Sequence, residues 1–225
     1  MRKPNIELLN IDCLEYLKQC EDKQFDWAIV DPPYGINFDG HNTITKEGHK
    51  GFSAKKELYK KKVWDSERPT LEYFNELIRT SKNQIVWGGN YFADLLPAKK
   101  GWIFWDKKIT NANNTNFSDG ELAWTSTNGI LRRFTYDWIG FGYLNNPQRE
   151  KKIHPTQKPV QLYEWILDTY IEEGSTIIDT HLGSGSIAVA CWNRKYDLIG
   201  CELDKEYYTK AVERLEHHKQ QLTLF

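Results

Sequence analysis

Short apolar runs alternate with amphipathic segments along most of the chain, a pattern typical of strands joined by helices. The pattern is strongest near the C-terminus. There it predicts helices at 160–171, 186–194 and 205–219, and strands at 176–178 and 198–201. Strands that alternate with helices predict an α/β fold, with a mostly parallel sheet covered by helices on both faces.

The first two thirds of the chain show the same pattern with more interruptions. It predicts strands at 6–10, 25–30, 84–87 and 102–105, and helices at 14–18, 71–81 and 91–96. Two further strands, antiparallel in direction, are predicted at 121–125 and 131–138. Most of the irregular sequence lies in 35–69 and 106–152, which we interpret as loop or insert regions of one domain spanning 1–225.

Composition narrows the class of protein. The 225 residues include 30 Lys and Arg against 31 Asp and Glu, so overall charge neither indicates nor excludes a nucleic-acid partner. The four cysteines form no C-x-x-C pair and show no metal-ligand spacing with the six histidines. Reduced thiols and no metal site are therefore expected. No apolar stretch approaches the ~18 residues of a membrane span. We expect a cytoplasmic protein with no membrane partner.

The tetrapeptide Asp31-Pro32-Pro33-Tyr34 follows the apolar run at 25–30 and places a carboxylate at the end of a strand. Proline has no N–H to donate, so the turn presents free carbonyl oxygens beside an aromatic ring. Such a group of acceptors suits an aromatic amine. A strand that simply ends in a proline-rich turn would give the same four residues.

A second motif, Asp179 to Ser186, follows a predicted strand and opens a helix, which is where α/β sheets bind nucleotides. Gly183 and Gly185 allow a tight turn and a close approach of ligand to backbone. The spacing fits neither G-x-G-x-x-G nor a P-loop, which favours a nucleoside without a phosphate cradle. Glu202 ends the next predicted strand, where an acid characteristically binds ribose hydroxyls.

A third motif, His154-Pro155-Thr156-Gln157-Lys158-Pro159, leads into the helix predicted at 160–171. The prolines restrict the backbone, and the polar side chains lie beside a helix N-terminus, which favours anions. The carboxylate of a zwitterionic ligand could bind there. A capped helix start is the structural alternative.

In this order the motifs resemble the S-adenosylmethionine-dependent DNA amino-methyltransferases that act on adenine N6 or cytosine N4. The catalytic motif precedes the cofactor motif, as in the beta group of that family. The resemblance implies a Rossmann-like class I methyltransferase fold in permuted order. It also implies methyl transfer from S-adenosylmethionine to a flipped base in double-stranded DNA, and a possible homodimer.

The resemblance implies a role for each matching position. Asp31 and the Pro32 carbonyl would accept hydrogen bonds from the target amine, and Tyr34 would stack on the base, so the catalytic set is Asp31, Pro32, Pro33 and Tyr34. The cofactor would be bound by Asp12, Thr156, Lys158, Asp179, Thr180, His181, Gly183, Ser184, Gly185 and Glu202. Thr180-His181 departs from the Pro-Phe that is usual in the family, and this leaves the contact of His181 open.

The target base and the DNA contacts are less directly indicated. An Asp at the position of Asp31 favours adenine N6, since Ser is more usual in cytosine-N4 enzymes. Cytosine-N4 transfer and an inactive cofactor-binding DNA module are the alternatives. A lysine-rich stretch after the catalytic turn could neutralise phosphates, or could be a solvated loop. The predicted DNA-binding residues in it are Lys55, Lys56, Lys60, Lys61 and Lys62.

Overall fold

Eight strands form one sheet that runs through the centre of the protein, in the order β1-β8-β7-β2-β3-β5-β4-β6. The computed structural model describes residues 2–37, 65–107, 118–138, 153–154 and 156–221. The strands are β1 (Ile6–Leu9), β2 (Phe25–Val30), β3 (Ser81–Trp87), β4 (Trp102–Asp106), β5 (Gly120–Thr125), β6 (Arg132–Thr135), β7 (Thr176–Asp179) and β8 (Asp197–Cys201). The helices are α1 (Cys13–Gln19), α2 (Leu71–Thr80), α3 (Val160–Tyr170), α4 (Ser186–Arg194) and α5 (Lys205–Gln221).

Five adjacent strands, from β1 to β3 in the sheet order, are parallel to one another. The strand β5 is antiparallel to both of its neighbours, β3 and β4. The edge strand β6 is parallel to β4. The predicted α/β fold with a mostly parallel sheet is therefore confirmed. The two strands predicted as antiparallel, β5 and β6, do run in opposite directions, with β4 between them.

Most predicted elements agree with the structure to within one or two residues, and three differ more. The strand predicted at 84–87 begins at Ser81, directly after α2 ends at Thr80. The helix predicted at 91–96 is a single 3-10 turn, Gly89–Phe92. The strand predicted at 131–138 is confined to Arg132–Thr135, where it pairs with β4.

Helices cover both faces of the sheet because β2 presents apolar residues in both directions. Trp27 and Ile29 belong to the core cluster formed with α3, α4 and α5. Ala28 and Val30 point the other way and belong to the cluster formed with α1 and α2. This alternation is the two-residue period of a strand buried on both faces. No helix in the described ranges is both long and apolar enough to cross a membrane.

The topology brings distant parts of the sequence together at one edge of the sheet. The carboxyl ends of the adjacent parallel strands β8, β7 and β2 lie side by side. Glu202 follows β8, Asp179 is the last residue of β7, and Asp31 follows β2. Three carboxylates from the predicted motifs therefore lie at the edge where open α/β sheets bind ligands.

Candidate active site

A cavity of about 580 Å³ opens at this edge of the sheet. Its wall is built from residues of all three motifs and from the start of α1. Predicted site residues in the wall are Asp12, Asp31, Pro33, Thr156, Lys158, Thr180, His181, Gly183, Ser184 and Glu202. Cys13, His154, Tyr163 and Tyr207 complete much of the remaining surface. The structure thus brings most of the predicted cofactor residues and one end of the catalytic turn into a single cavity.

Two acids in the cavity wall are held in place by backbone N–H groups. Glu202 accepts hydrogen bonds from the N–H of Gly183 at 2.8 Å and from the N–H of Asp204 at 2.9 Å. Asp12 caps α1 by accepting from the N–H groups of Leu14 and Glu15. A carboxylate has about four acceptor sites, so these two backbone contacts leave Asp12 with capacity for a ligand hydroxyl or amino group.

Two of the predicted cofactor residues, Asp179 and Gly185, lie behind the cavity rather than in its wall. Asp179 is buried and accepts a hydrogen bond from the N–H of His181 at 3.0 Å. Burial raises the pKa of Asp179 to about 8. Gly185 takes a left-handed conformation with φ of 70° just before α4, where a side chain would approach Ala211. Both residues shape the turn that carries Gly183.

The unusual Thr180-His181 pair extends a chain of polar contacts from α2 to the cavity. The hydroxyls of Tyr73 and Thr180 are 2.6 Å apart, and the Thr180 hydroxyl is 2.9 Å from Nδ1 of His181. Burial lowers the pKa of His181 to about 4, so its ring is neutral at physiological pH. The sulfur of Cys13 lies 3.9 Å from the other ring nitrogen. His181 is thus a neutral part of the wall.

The turn from Asp31 to Tyr34, proposed above as catalytic, is held in place by residues outside the three motifs. Tyr34 donates its hydroxyl to the Asp31 carboxylate at 2.8 Å, and its ring stacks on Tyr91 with centroids 4.8 Å apart. The buried carboxylate of Asp65 accepts hydrogen bonds from the N–H groups of Tyr34 and Gly35 at 2.7 and 2.9 Å. Asp65 belongs to a stretch without periodicity, and nothing in the sequence signals its role.

Lys158 was predicted to bind the cofactor, and it lines the cavity, but its ammonium group forms ion pairs with two acids. One is Asp31, and the other is Glu121 of β5, at 3.1 Å. The Nζ atom also lies 5.3 Å from the ring centroid of Trp87. Burial alone would lower the pKa of Lys158, but the two carboxylates outweigh burial and raise it. Lys158 therefore connects the third motif to the catalytic turn.

The same contacts set the charges of the two acids. Burial raises the pKa of Asp31, and the positive charge of Lys158 opposes that rise only in part. For Glu121, burial acts in the same direction, but the charges of Lys158 and Lys107 outweigh it and lower the pKa to about 2. Glu121 was missed by the sequence analysis, since an acid at the first position of a predicted strand carries no motif.

The remaining predicted residues are placed as follows. His154 accepts a hydrogen bond from, or donates one to, the Thr156 hydroxyl at 3.0 Å, and its ring packs edge to face on Tyr207. Pro32 is buried at the end of β2. The predicted DNA-binding lysines, Lys55, Lys56, Lys60, Lys61 and Lys62, lie outside the described residues.

Comparison with known proteins shows the family to which the chain belongs. A family described as "DNA methylase", of the N6/N4 type, matches residues 55–213. The chain belongs to this family. It is 36% identical over 246 aligned residues to the Type II methyltransferase M.HpaI of Haemophilus parainfluenzae, covering 93% of this chain and 74% of that relative.

Solved methyltransferases share the fold. The M1.HpyAVI–SAM complex matches with a TM-score of 0.56 at 20% identity, covering 93% of this chain and all of that one. The cytosine-N4-specific PvuII DNA methyltransferase matches with a TM-score of 0.57 at 13% identity, covering 98% and 95%. The class I methyltransferase fold expected from the resemblance is thus confirmed, and the enzyme is an S-adenosylmethionine-dependent DNA methyltransferase.

The cavity fits this cofactor in size and in chemistry. Its volume of about 580 Å³ lies within the range of pockets that bind ligands of nucleoside size. The acids Asp12 and Glu202 suit hydroxyl groups and positive charge. At Gly183 a hypothetical Cβ would lie 3.8 Å from the His154 ring, an ordinary van der Waals contact, and Gly183 itself lines the cavity.

Proposed function

We propose that the enzyme transfers a methyl group to the exocyclic N6 amine of adenine in double-stranded DNA after the base is flipped out of the helix. The observation that carries this proposal is the position of Asp31. Its carboxylate follows β2, lines the same cavity as Glu202 and Gly183, and accepts the Tyr34 hydroxyl. An amine acceptor therefore borders the proposed cofactor site.

The chemistry required of the protein is mainly alignment. When bound, S-adenosylmethionine supplies an activated methyl group. The lone pair of an aromatic amine is delocalised into its ring, so the amine is a poor nucleophile. In our proposal, Asp31 and the Pro32 carbonyl accept hydrogen bonds from the two N–H groups and stabilise the positive charge that develops on nitrogen. As the nitrogen–carbon bond forms, Asp31 accepts or relays the proton that the nitrogen releases. Binding the cofactor and the base in adjoining parts of this cavity would fix the direction in which the amine approaches the methyl group.

Base flipping is proposed because a stacked base cannot bring its amine to Asp31. Extruding a base costs a few kcal/mol, which contacts in the pocket offset in part. Tyr34 is proposed to stack on the base, with Tyr91 supporting the opposite face of its ring. Asp31 favours adenine over cytosine, where family members more often have serine. The likeness to the cytosine-N4-specific PvuII enzyme makes cytosine the second candidate.

We further propose that residues 1–225 act as one catalytic domain, with DNA contacts from 35–69 and 106–152 and with homodimerisation possible. In this scheme the cofactor residues are the ten predicted from the resemblance. Asp179 and Gly185 act through the turn that carries Gly183 rather than by contact from the cavity wall. The five lysines between Lys55 and Lys62 bind phosphates.

Product analysis tests the proposed reaction. The enzyme is incubated with radiolabelled S-adenosylmethionine and duplex DNA, and the DNA is then digested to nucleosides. Label in N6-methyladenine supports the proposal, and label in N4-methylcytosine refutes the choice of base. Asp31→Ala is expected to abolish transfer and leave cofactor affinity nearly unchanged, with the exposed Asp168→Ala as the matched control. Loss of cofactor binding in Asp31→Ala would contradict the role given to Asp31.

The proposed phosphate contacts are tested by the salt dependence of DNA binding. Lys60→Ala combined with Lys61→Ala is expected to weaken binding and to reduce the slope of log K against log salt by about 2. Lys82→Ala is the control, since Lys82 pairs with Asp26 at the start of β3, away from the cavity. An unchanged slope in the double variant would indicate that these lysines are solvated and do not bind phosphates.

A further inference from the structure

Four side chains of alternating charge extend from the catalytic turn into the sheet. Lys158 lies between Asp31 and Glu121, and Glu121 lies between Lys158 and Lys107, whose ammonium is 2.6 Å from a Glu121 oxygen. The Lys158 side chain is only 3% exposed. These residues come from four places in the sequence: just after β2, the segment before α3, the start of β5 and just after β4.

Lys158 is the cation that both acids share. Its distance from each acid therefore decides how strongly it neutralises each carboxylate. A buried ammonium between two carboxylates is stabilised by both, whereas each carboxylate is only partly neutralised. Without Glu121, Lys158 would pair with Asp31 alone. A carboxylate that is neutralised by its own cation is a weaker acceptor for a further N–H group.

We propose that Glu121 is a positioning residue for methyl transfer, which acts through Lys158 to control the charge on the Asp31 carboxylate. This inference rests on the proposed role of Asp31 as the acceptor for the target amine. It adds to that role a residue on β5 that lies outside every motif. Lys158 is thereby assigned to the control of Asp31 as well as to the cavity wall.

Groups on several elements face Asp31, and each has a defined effect on its charge. Lys158 and the Tyr34 hydroxyl favour the ionised carboxylate, and burial and Glu121 disfavour it. Asp179 at the end of β7 interacts electrostatically with Asp31. The pKa of Tyr163 on α3 is raised by burial and, after burial, by the negative charge of Asp31. Among these groups, Glu121 is the acid that also contacts Lys158. Its removal should therefore both relieve repulsion of Asp31 and free Lys158 for it.

The test is a pH titration of the Asp31 side-chain carboxyl carbon by ¹³C NMR in the full-length protein, with Asp31→Asn used to assign the signal. Glu121→Gln is expected to shift the midpoint of Asp31 down by about one pH unit. The control is Glu164→Gln on α3, which removes another partly buried carboxylate, one that bonds to Asn193. An unchanged or raised midpoint in Glu121→Gln would overturn the proposal.

A second pair of variants keeps the test decisive if Glu121→Gln does not fold. Lys158→Met is expected to shift the Asp31 midpoint upward, and Lys158→Arg is expected to reverse most of that shift. A midpoint that Lys158→Met leaves unchanged or lowers would refute the proposal. The titration needs no DNA, so its outcome is independent of whether adenine is the substrate.

Catalysis gives the corresponding functional readout. If Asp31 must be ionised to accept the amine, the rate of transfer at saturating DNA and cofactor falls on the acid side of the Asp31 midpoint. Glu121→Gln should move this acid limb to lower pH by the same amount as in the NMR titration and should lower the plateau several-fold. A uniform loss of rate with no movement of the acid limb would indicate a merely structural role for Glu121.

Discussion

Gly88 packs directly against the ring of Tyr34, and replacing it with alanine should lower both the stability of the fold and the rate of methyl transfer. Gly88 follows β3 with φ of +67°, a left-handed conformation that costs a residue with a Cβ about 1 kcal/mol. A Cβ there would lie 2.2 Å from Cε1 of Tyr34, and 2.6 Å from Cδ1 and from Cζ. These distances are far below contact, so the Tyr34 ring must move.

The cost can be worked out from the contacts that Tyr34 would lose. Its stacking on Tyr91 is worth about 1 kcal/mol, and its hydrogen bond to the Asp31 carboxylate is worth about 1.5 kcal/mol. Together with the backbone strain, Gly88→Ala should lower the free energy of unfolding by about 3.5 kcal/mol. Transfer should fall at least 100-fold, because the amine acceptor and the stacking ring are both displaced. Cofactor affinity should change little.

Gly174→Ala is the matched control. Gly174 also has a positive φ, +84°, but a Cβ there meets nothing within 4 Å. It should therefore lose only the strain of about 1 kcal/mol, with transfer unchanged. Urea unfolding followed by circular dichroism measures the stabilities, and labelled methyl transfer measures the rates. Equal losses of stability and of activity in the two variants would refute the contact between Gly88 and Tyr34.

Three further predictions concern buried groups near the cavity. His181 is neutral when folded, with a pKa of about 4, so the protein should lose up to about 3 kcal/mol as pH falls from 6.5 to 4. His181→Phe should abolish that loss in urea unfolding, and an equally steep loss would contradict it. Asp179 has a pKa of about 8 against an ordinary 3.8, so the folded state retains a proton that the unfolded chain releases. Stability should therefore fall as pH rises from about 4 to 8, and Asp179→Asn should remove that dependence; a slope that persists would refute it. Asp65→Ala leaves the N–H groups of Tyr34 and Gly35 without their carboxylate and should lower kcat at least 10-fold with little change in cofactor affinity. Parallel losses of kcat and cofactor affinity would contradict this.

The sequence predicts the sheet well because its strands are short apolar runs whose pattern is local. The sequence predicts the acid that follows β2, Asp31, and the acid at the end of β7, Asp179. Parallel strands place their carboxyl ends together, so the meeting of these acids also follows from the pattern. The order of strands in the sheet does not follow from periodicity, and it rests on the family resemblance.

The site was less predictable where a contact joins positions without motifs. Glu121 contacts Lys158 because β5 pairs antiparallel with β3. No local sequence pattern specifies that β3 and β5 are neighbouring strands. Asp65 holds the catalytic turn through backbone N–H groups, which every residue except proline has. Because backbone N–H groups are alike, the residue types at 34 and 35 do not indicate that Asp65 accepts their hydrogen bonds. Side-chain contacts across the sheet therefore had to be read from the structure.

The position of β1 has a consequence for how the enzyme is made. In the part of the chain that the structure describes, β1 pairs with β8 alone, and β2 pairs with β7 on one side. During synthesis these early strands keep open edges until the last quarter of the chain has emerged from the ribosome. Open strand edges are templates for aggregation, so the nascent chain is most vulnerable just before its cofactor motif appears. Folding and the ability to bind cofactor are thus completed in the same step.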